Sequence, residues 1–178
     1  MSYTLKRFEA ETNTESYIRE YVNVDEFLAC CRVCPNYGKV WSCPPYDFDP
    51  AAYWNAFDKI LVAGYQLTFD DDRTEEGMRE ALWDVKKQLA EEMRALEDQF
   101  PGSQSLSAAT CQICREYSRA DGHPCRFPDR MRYSIESIGG NVGKTISDFC
   151  GIEIEWGKGG ELPEHPVLVG GLLKKNPD

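Results

Sequence analysis

The sequence has very little histidine, which is the commonest general acid and base in enzymes. Only His123 and His165 occur in 178 residues, and no convincing set of serine, histidine and aspartate accompanies them. His123 stands in Gly-His-Pro-Cys, a setting that suits an exposed loop as well as a nitrogen ligand. We therefore expect no acid–base chemistry centred on histidine.

Long apolar runs are also missing from the chain. No uninterrupted apolar stretch approaches the roughly 20 residues that cross a bilayer, and the nearest, at 60–67, has the length of a buried strand. Residues 1–10 contain no apolar segment of the kind that forms the core of a signal peptide. We expect a cytoplasmic protein that makes no contact with a membrane.

A surplus of basic charge is absent as well. The chain carries 30 acidic and 20 basic residues, for a net charge of −10 at pH 7. Binding to nucleic-acid phosphates needs concentrated lysine and arginine, so we expect no nucleic-acid partner; the acidic balance is compatible with a basic redox partner protein. Some cations do lie near the cysteines, and they fit either ordinary surface scatter or stabilisation of a negatively charged thiolate centre: Arg32, Lys39, Arg115, Arg119, Arg126, Arg130 and Arg132.

Cysteine, by contrast, is abundant, with eight in the chain. In a reducing compartment, cysteines serve as metal ligands or redox-active thiols more often than as structural disulfides. A chain of 178 residues typically forms one domain and buries a sufficient core without cross-links. We therefore expect a single metal-binding domain over residues 1–178, with cysteine-rich loops at 30–45 and 111–128.

The candidate ligands fall into two segments of similar design. Each segment holds two cysteines separated by two residues and a third cysteine beside a proline. Cys30 is an alternative fourth ligand or a structural neighbour, and the apolar residues around Cys150 favour a core position. The predicted metal ligands are Cys31, Cys34 and Cys43 in the first segment, and Cys111, Cys114 and Cys125 in the second.

Two features favour an iron–sulfur cluster over zinc. Proline follows Cys43 directly, as in the cysteine runs of bacterial ferredoxins. Zinc fingers and ribbons usually join their ligand pairs across about 12–20 residues, whereas a predicted strand and the longest predicted helix separate Cys34 from Cys111. We expect one or two clusters, of the [4Fe-4S] type, that transfer electrons or perform redox chemistry. The alternative is a structural zinc site in an adaptor protein without catalytic activity.

Hydrophobic patterning predicts an α+β domain with a mixed β-sheet. The surest element is a long amphipathic helix over 74–100, whose apolar positions recur at threes and fours. Prolines predict a loop for the whole first cysteine segment. Shorter helices are predicted at 25–29, at 50–57 and, with a bend at the glycines, at 131–149. Strands are predicted at 2–10, 59–69, 103–109, 152–156 and 166–173.

Three stretches of the chain resemble one protein family. They are Cys-x2-Cys-Pro-Asn-Tyr-Gly-Lys-x-Trp-Ser-Cys-Pro-Pro at 31–45, Pro-Cys-Arg-x-Pro at 124–128 and Arg-Tyr-Ser-Ile-Glu-Ser-Ile-Gly at 132–139. Together they resemble the predicted metal-binding protein family, the domain of unknown function DUF2284, and the resemblance extends over about residues 25–173. It implies metal binding by the six predicted cysteines, as an iron–sulfur centre, and carries no established activity.

Overall fold

The fold is an antiparallel sheet with helices on both faces. The computed structural model describes residues 2–157 and 161–176. Its strands are β1 (Tyr3–Asn13), β2 (Lys59–Phe69), β3 (Gln104–Leu106) and β4 (Val167–Lys174). Its α-helices are α1 (Thr14–Tyr21), α2 (Val24–Arg32), α3 (Pro50–Trp54), α4 (Glu75–Gln99) and α5 (Val142–Cys150). Three 3-10 turns lie between β3 and α5, at Ser118–Asp121, Pro128–Arg130 and Glu136–Ile138.

The strands form one sheet in the order β1-β2-β4-β3. β1 lies along the whole of β2, with Tyr3 opposite Phe69 and Asn13 opposite Lys59. β4 pairs with the other edge of β2, and the short β3 pairs with β4. The predicted α+β class and the single long helix are confirmed. The expectation of a mixed sheet is corrected in one respect, because each of these pairings is antiparallel.

β2 has a nearly unbroken apolar sequence because both faces of the sheet are covered. On one face, Ala63 and Leu67 pack in a first cluster with the buried stripe of α4. On the other face, Ile60 and Val62 pack in a second cluster with residues from helices and turns, among them Tyr17, Trp54, Ile135, Ile138 and Ile146. Neighbouring side chains of a strand point to opposite faces, so β2 contributes to both clusters. The second cluster is the one that supports the cysteine segments, since Tyr46 and Tyr133 pack against it.

α4 is the longest helix and matches its prediction closely. Thr74 caps it, with the side-chain oxygen accepting a hydrogen bond from Gly77 N at 3.2 Å. Its apolar stripe is buried against the sheet while its charged residues meet solvent, as in a surface amphipathic helix. In the part of the chain that the structure describes, no helix combines the length and the apolarity needed to span a bilayer.

α1 is a helix that hydrophobic patterning did not predict. It follows β1 directly, and the Asn13 side chain accepts a hydrogen bond from Ser16 N at 2.7 Å. A side-chain oxygen in this position satisfies one of the free N–H groups at a helix start. The boundary between β1 and α1 is therefore set by a cap and not by a change of hydrophobic period.

Two predictions in the last third of the chain are wrong. The helix expected over 131–149 begins only at Val142, where Asn141 Oδ1 accepts a hydrogen bond from Lys144 N at 2.9 Å. Gly139 has a φ of +94°, a left-handed conformation that ends the turn before it. The strand expected at 152–156 is not formed, and Ile152 packs into the second cluster instead.

Candidate metal centre

The first thiol set consists of Cys31, Cys34 and Cys43. Cys31 lies in the last turn of α2, so the expectation that the whole segment is a loop is corrected at its start. Tight turns follow, with Cys34 N donating to Cys31 O at 3.0 Å and Cys43 N donating to Val40 O at 3.1 Å. These turns bring the three thiols within electrostatic reach of one another.

Burial makes Cys31 and Cys43 weak acids in the metal-free protein. Burial raises the pKa of Cys43 to about 12, and the nearby Cys34 adds to the effect. Burial, again reinforced by Cys34, raises the pKa of Cys31 to about 11. Both thiols are therefore protonated at neutral pH, and a metal that binds them must displace their protons.

The second thiol set, Cys111, Cys114 and Cys125, lines a pocket. The pocket has a cavity volume of about 30 Å³ and is partly open to solvent. Cys111 is buried, whereas Cys114 and Cys125 are half-buried. Residues of both cysteine segments complete the lining, including Trp41, Ser42, Tyr117 and Phe127. The pocket therefore offers three soft sulfur donors in a concave and mostly apolar setting.

Side-chain hydrogen bonds hold the second loop around this pocket. The Tyr117 hydroxyl donates to Cys111 O at 3.1 Å. The Ser118 hydroxyl donates to Pro124 O at 2.7 Å. These bonds fold the intervening residues back on themselves, so that Cys125 returns to the pocket that Cys111 lines.

Arg119 joins the second loop to the first. Its guanidinium donates to Val40 O at 3.1 Å, to Cys43 O at 2.7 Å and to Pro45 O at 2.7 Å. The same group stacks over the Trp41 ring, with 4.7 Å from Cζ to the ring centroid. A planar guanidinium with several N–H groups suits such a cluster of carbonyl oxygens. One side chain of the second loop thus fixes the backbone of the first.

Two further contacts strengthen this junction between the loops. Trp41 Nε1 donates to His123 O at 3.0 Å, and Cys111 N donates to the buried Ser42 Oγ at 3.1 Å. His123 therefore contributes its backbone carbonyl to the junction between the loops. The residue itself is exposed. Because Ser42 precedes Cys43 directly, the two thiol sets are adjacent parts of one structure.

Positive charge lies close to the second thiol set. Arg94 and Arg132 are within electrostatic reach of Cys111. Arg94 Nε is buried and has no hydrogen-bond partner among the described residues, and burial lowers the pKa of Arg94. Arg132 pairs with Glu97 on α4. These two cations can offset the negative charge that a metal–thiolate centre places there.

The chain matches the family described as "Predicted metal-binding protein (DUF2284)" over residues 18–173. The chain belongs to this family. The resemblance expected from the cysteine motifs is thereby confirmed, and the match includes both thiol sets of this DUF2284 protein. No curated protein and no solved structure matches the chain. The family description supports metal binding and leaves the metal to be argued from the site.

Two cysteines of this DUF2284 protein lie outside the thiol sets. Cys30 is exposed and directly precedes Cys31 on α2, where adjacent side chains point about 100° apart. Cys150 ends α5 and packs against the second cluster, the core position expected for it. All eight cysteines are free thiols.

The described side chains are not arranged to coordinate a single metal ion. Across residues 2–157 and 161–176, no three His, Cys, Asp or Glu side chains are arranged to hold a metal ion. The donor chemistry nevertheless suits a thiophilic metal, because both sets consist of sulfur and one set lines a pocket. Binding of one ion therefore requires the thiols to converge, whereas a group with several metal atoms can span a wider separation.

Glu97→Gln is expected to destabilise the protein by about 3 kcal/mol at neutral pH, because it leaves the guanidinium of Arg132 without its anionic partner. Glu97 accepts hydrogen bonds from Arg132 Nε at 3.0 Å and from Ser105 N at 2.7 Å, and its side chain is only 15% exposed. Burial acts to raise the pKa of Glu97, but these hydrogen bonds outweigh it and the pKa is lowered. Urea denaturation measures the difference in the free energy of unfolding.

The pH dependence of the stability difference between wild type and Glu97→Gln tests whether the pKa of Glu97 is lowered in the folded state. Because the pKa of Glu97 is lower in the folded than in the unfolded state, its contribution is complete above the unfolded value of about 4.3. It is lost as the pH falls through the folded value. The stability difference between wild type and Glu97→Gln should therefore shrink in acid. A difference that stays constant down to about pH 3 contradicts the assignment. Glu91→Gln, on the exposed face of α4, is the control and should change stability by less than about 0.5 kcal/mol.

Proposed function

We propose that this protein is an iron–sulfur protein that binds one or two clusters of the [4Fe-4S] type. The observation that carries the proposal is the pocket lined by three thiols of the second loop. The first thiol set lies across a shared junction from this pocket. Thiolates are the usual ligands of such clusters. The residues that would hold the clusters are Cys31, Cys34 and Cys43, and Cys111, Cys114 and Cys125.

Ligand spacing supports a cluster over a single zinc ion. Zinc draws its ligand sulfurs to about 2.3 Å from one centre, and no three side chains in the described ranges are arranged around one ion. A cluster is larger than one ion, so three thiols that line the same pocket can bind it without meeting at one point. In addition, Cys43-Pro44 repeats the cysteine–proline pair of bacterial ferredoxins.

The residues around the thiols supply what a cluster needs from a protein. Trp41 and Tyr117 line the pocket and limit the access of water. Arg94 and Arg132 offset negative charge near Cys111, and such charges tune the reduction potential of a cluster. When bound, a cluster of this kind supplies one-electron transfer. The role of the chain is to hold, shield and tune it, in electron transfer or in cluster-based redox chemistry.

Electron transfer requires a partner protein and a compartment in which thiols stay reduced. Free thiols throughout the chain fit the reducing cytoplasm, where we place the function. Val33, Trp41 and Phe127 are exposed apolar residues, and all three lie in or beside the thiol loops. A redox partner that contacts them would approach both thiol sets. The net charge of −10 gives no surplus of cations for nucleic acid.

Anaerobic purification tests the metal directly. We expect brown protein with broad visible absorbance that contains iron and acid-labile sulfide in equal amounts, as in a [4Fe-4S] cluster. The sulfide measurement distinguishes a cluster from iron adsorbed on the surface. Colourless protein that retains zinc through the same cysteines would overturn the proposal in favour of a structural zinc module.

A further inference from the structure

A buried carboxylate lies beside the first thiol set. Glu136 begins the turn Glu136–Ile138, and its Oε2 is buried without a hydrogen-bond partner among the described residues. The residue as a whole is half-buried because other atoms of it reach solvent; at the carboxylate, burial raises the pKa. A buried polar atom without a partner is costly, and its presence in a folded protein calls for a reason.

Neighbouring groups donate hydrogen bonds to this carboxylate but leave Oε2 without one. It accepts hydrogen bonds from its own backbone N–H and from the Ser134 hydroxyl. Lys86 on α4 acts on it electrostatically but is no hydrogen-bond partner of Oε2. The protein therefore keeps a carboxyl group in its interior with one oxygen left over. Such an oxygen is a natural ligand for a cation.

The turn that contains Glu136 lies near both elements that carry the first thiol set. The turn is pressed against α2 at Gly139, where an added Cβ would lie 2.7 Å from Val24 Cα. The same helix α2 ends at the first cysteines. On the other side, the hydroxyl of Tyr46, which directly follows the first loop, donates to Ser42 O at 2.9 Å and lies near Ser137 and Cys43. Glu136 thus lies in a turn that packs against the first turn of α2, and the next residue lies near Tyr46, which follows the loop that carries Cys43.

The charge of Glu136 reaches two of the three thiols. It acts on both Cys31 and Cys43 and adds to the effect of burial in raising the pKa of each. Cys30 is a poor fourth donor because its side chain points about 100° away from that of Cys31 on α2. The first set therefore offers three sulfurs and, in the same neighbourhood, one carboxylate oxygen.

We propose that Glu136 supplies an oxygen ligand to the metal centre bound by Cys31, Cys34 and Cys43. Three thiolates and one carboxylate complete four donors, a number that suits a four-iron cluster and zinc alike. Coordination gives Oε2 the partner that it lacks. The inference rests on the proposed function, in which the first thiol set binds an iron–sulfur cluster.

Iron release to a chelator and Mössbauer spectroscopy of the full chain test the proposal. Glu136→Gln and Glu136→Ala should release part of the iron at least about tenfold faster than wild type. Glu136→Cys, which offers sulfur at the same position, should restore slow release. The wild-type Mössbauer spectrum should contain one iron with a higher isomer shift, because oxygen is a harder donor than sulfur. That component should disappear in Glu136→Cys.

Urea denaturation of the metal-free proteins separates ligation from a structural role. Glu136→Gln removes a buried carboxyl group with one oxygen that has no hydrogen-bond partner, so the metal-free variant should be at least as stable as wild type. A destabilised metal-free variant whose iron release Glu136→Cys does not rescue would make the residue structural and overturn the inference. Asp25→Asn, which removes an exposed carboxylate from α2, is the matched control and should leave iron release unchanged.

The same data distinguish this inference from the proposed function. Iron release and Mössbauer spectra that are identical in wild type and all Glu136 variants would overturn the carboxylate ligand and leave metal binding by the thiols standing. Wild-type protein that holds no metal at all would overturn both.

Discussion

Replacement of all three cysteines of the second thiol set by alanine is expected to remove one metal centre and leave the other. The second set lines its own pocket, and the first set lies on the far side of the junction formed by Arg119 and Ser42. The corresponding triple variant of the first set should lose the metal that the first set binds and keep the metal of the second set. Elemental analysis of anaerobically purified protein gives metal per chain for each variant. The two triple variants are Cys111→Ala/Cys114→Ala/Cys125→Ala and Cys31→Ala/Cys34→Ala/Cys43→Ala.

Controls for these variants come from the same chain. Cys150 packs against the second cluster and away from both sets, so Cys150→Ala should keep the metal content of wild type. Complete loss of metal in either triple variant would show that the six thiols build one shared centre. Unchanged metal in both would show that the ligand assignment is wrong.

Arg119→Met is expected to weaken metal binding at both thiol sets by at least about tenfold, since residues that orient metal ligands typically contribute that much. The substitution removes the hydrogen bonds to Val40 O, Cys43 O and Pro45 O, which hold the first loop against the second. It should also lower the free energy of unfolding by about 3 kcal/mol, because hydrogen bonds from a charged group contribute about 1.5–3 kcal/mol each and not all are lost to water. Chelator competition and urea denaturation measure the two effects.

Two other arginine substitutions show whether geometry or charge is responsible. Arg119→Lys keeps the charge but loses the planar fork, so its metal affinity should lie between those of wild type and Arg119→Met. Arg115→Met removes an exposed arginine that stacks over Trp83 at 5.2 Å, outside the junction. It should bind metal as wild type does. Equal loss in Arg115→Met and Arg119→Met would show that net positive charge, and not the junction, supports the site.

The parts of the fold that could be predicted from the sequence are those that bury one face over a long stretch. α4 has an apolar stripe over 25 residues and β2 is mostly apolar over 11, so the hydrophobic pattern alone identifies them. α1 was missed because its signal is a single cap at Asn13. The alternating residues 152–156 fit a strand, but a strand needs a neighbour to pair with, and Ile152 is drawn into the core beside α5 instead.

Spacing identified the candidate ligands, because two cysteines separated by two residues can be recognised within a short stretch of sequence. Spacing could not identify the groups that support them. Arg119 and Cys43 are 76 residues apart in the chain, and Cys111 and Ser42 are 69 apart. Glu136 likewise comes within electrostatic reach of Cys31 and Cys43 only in the folded chain. Such contacts depend on tertiary structure and leave no periodic signal in the sequence.

The most direct measurement is the metal content of the anaerobically purified wild-type chain beside that of a variant in which all six loop cysteines are alanine. Bound metal in the wild type and none in the variant is the predicted result, since the two thiol sets are the proposed ligands. Equal metal content in the two proteins, or none in the wild type, would contradict the claim that these loops bind metal.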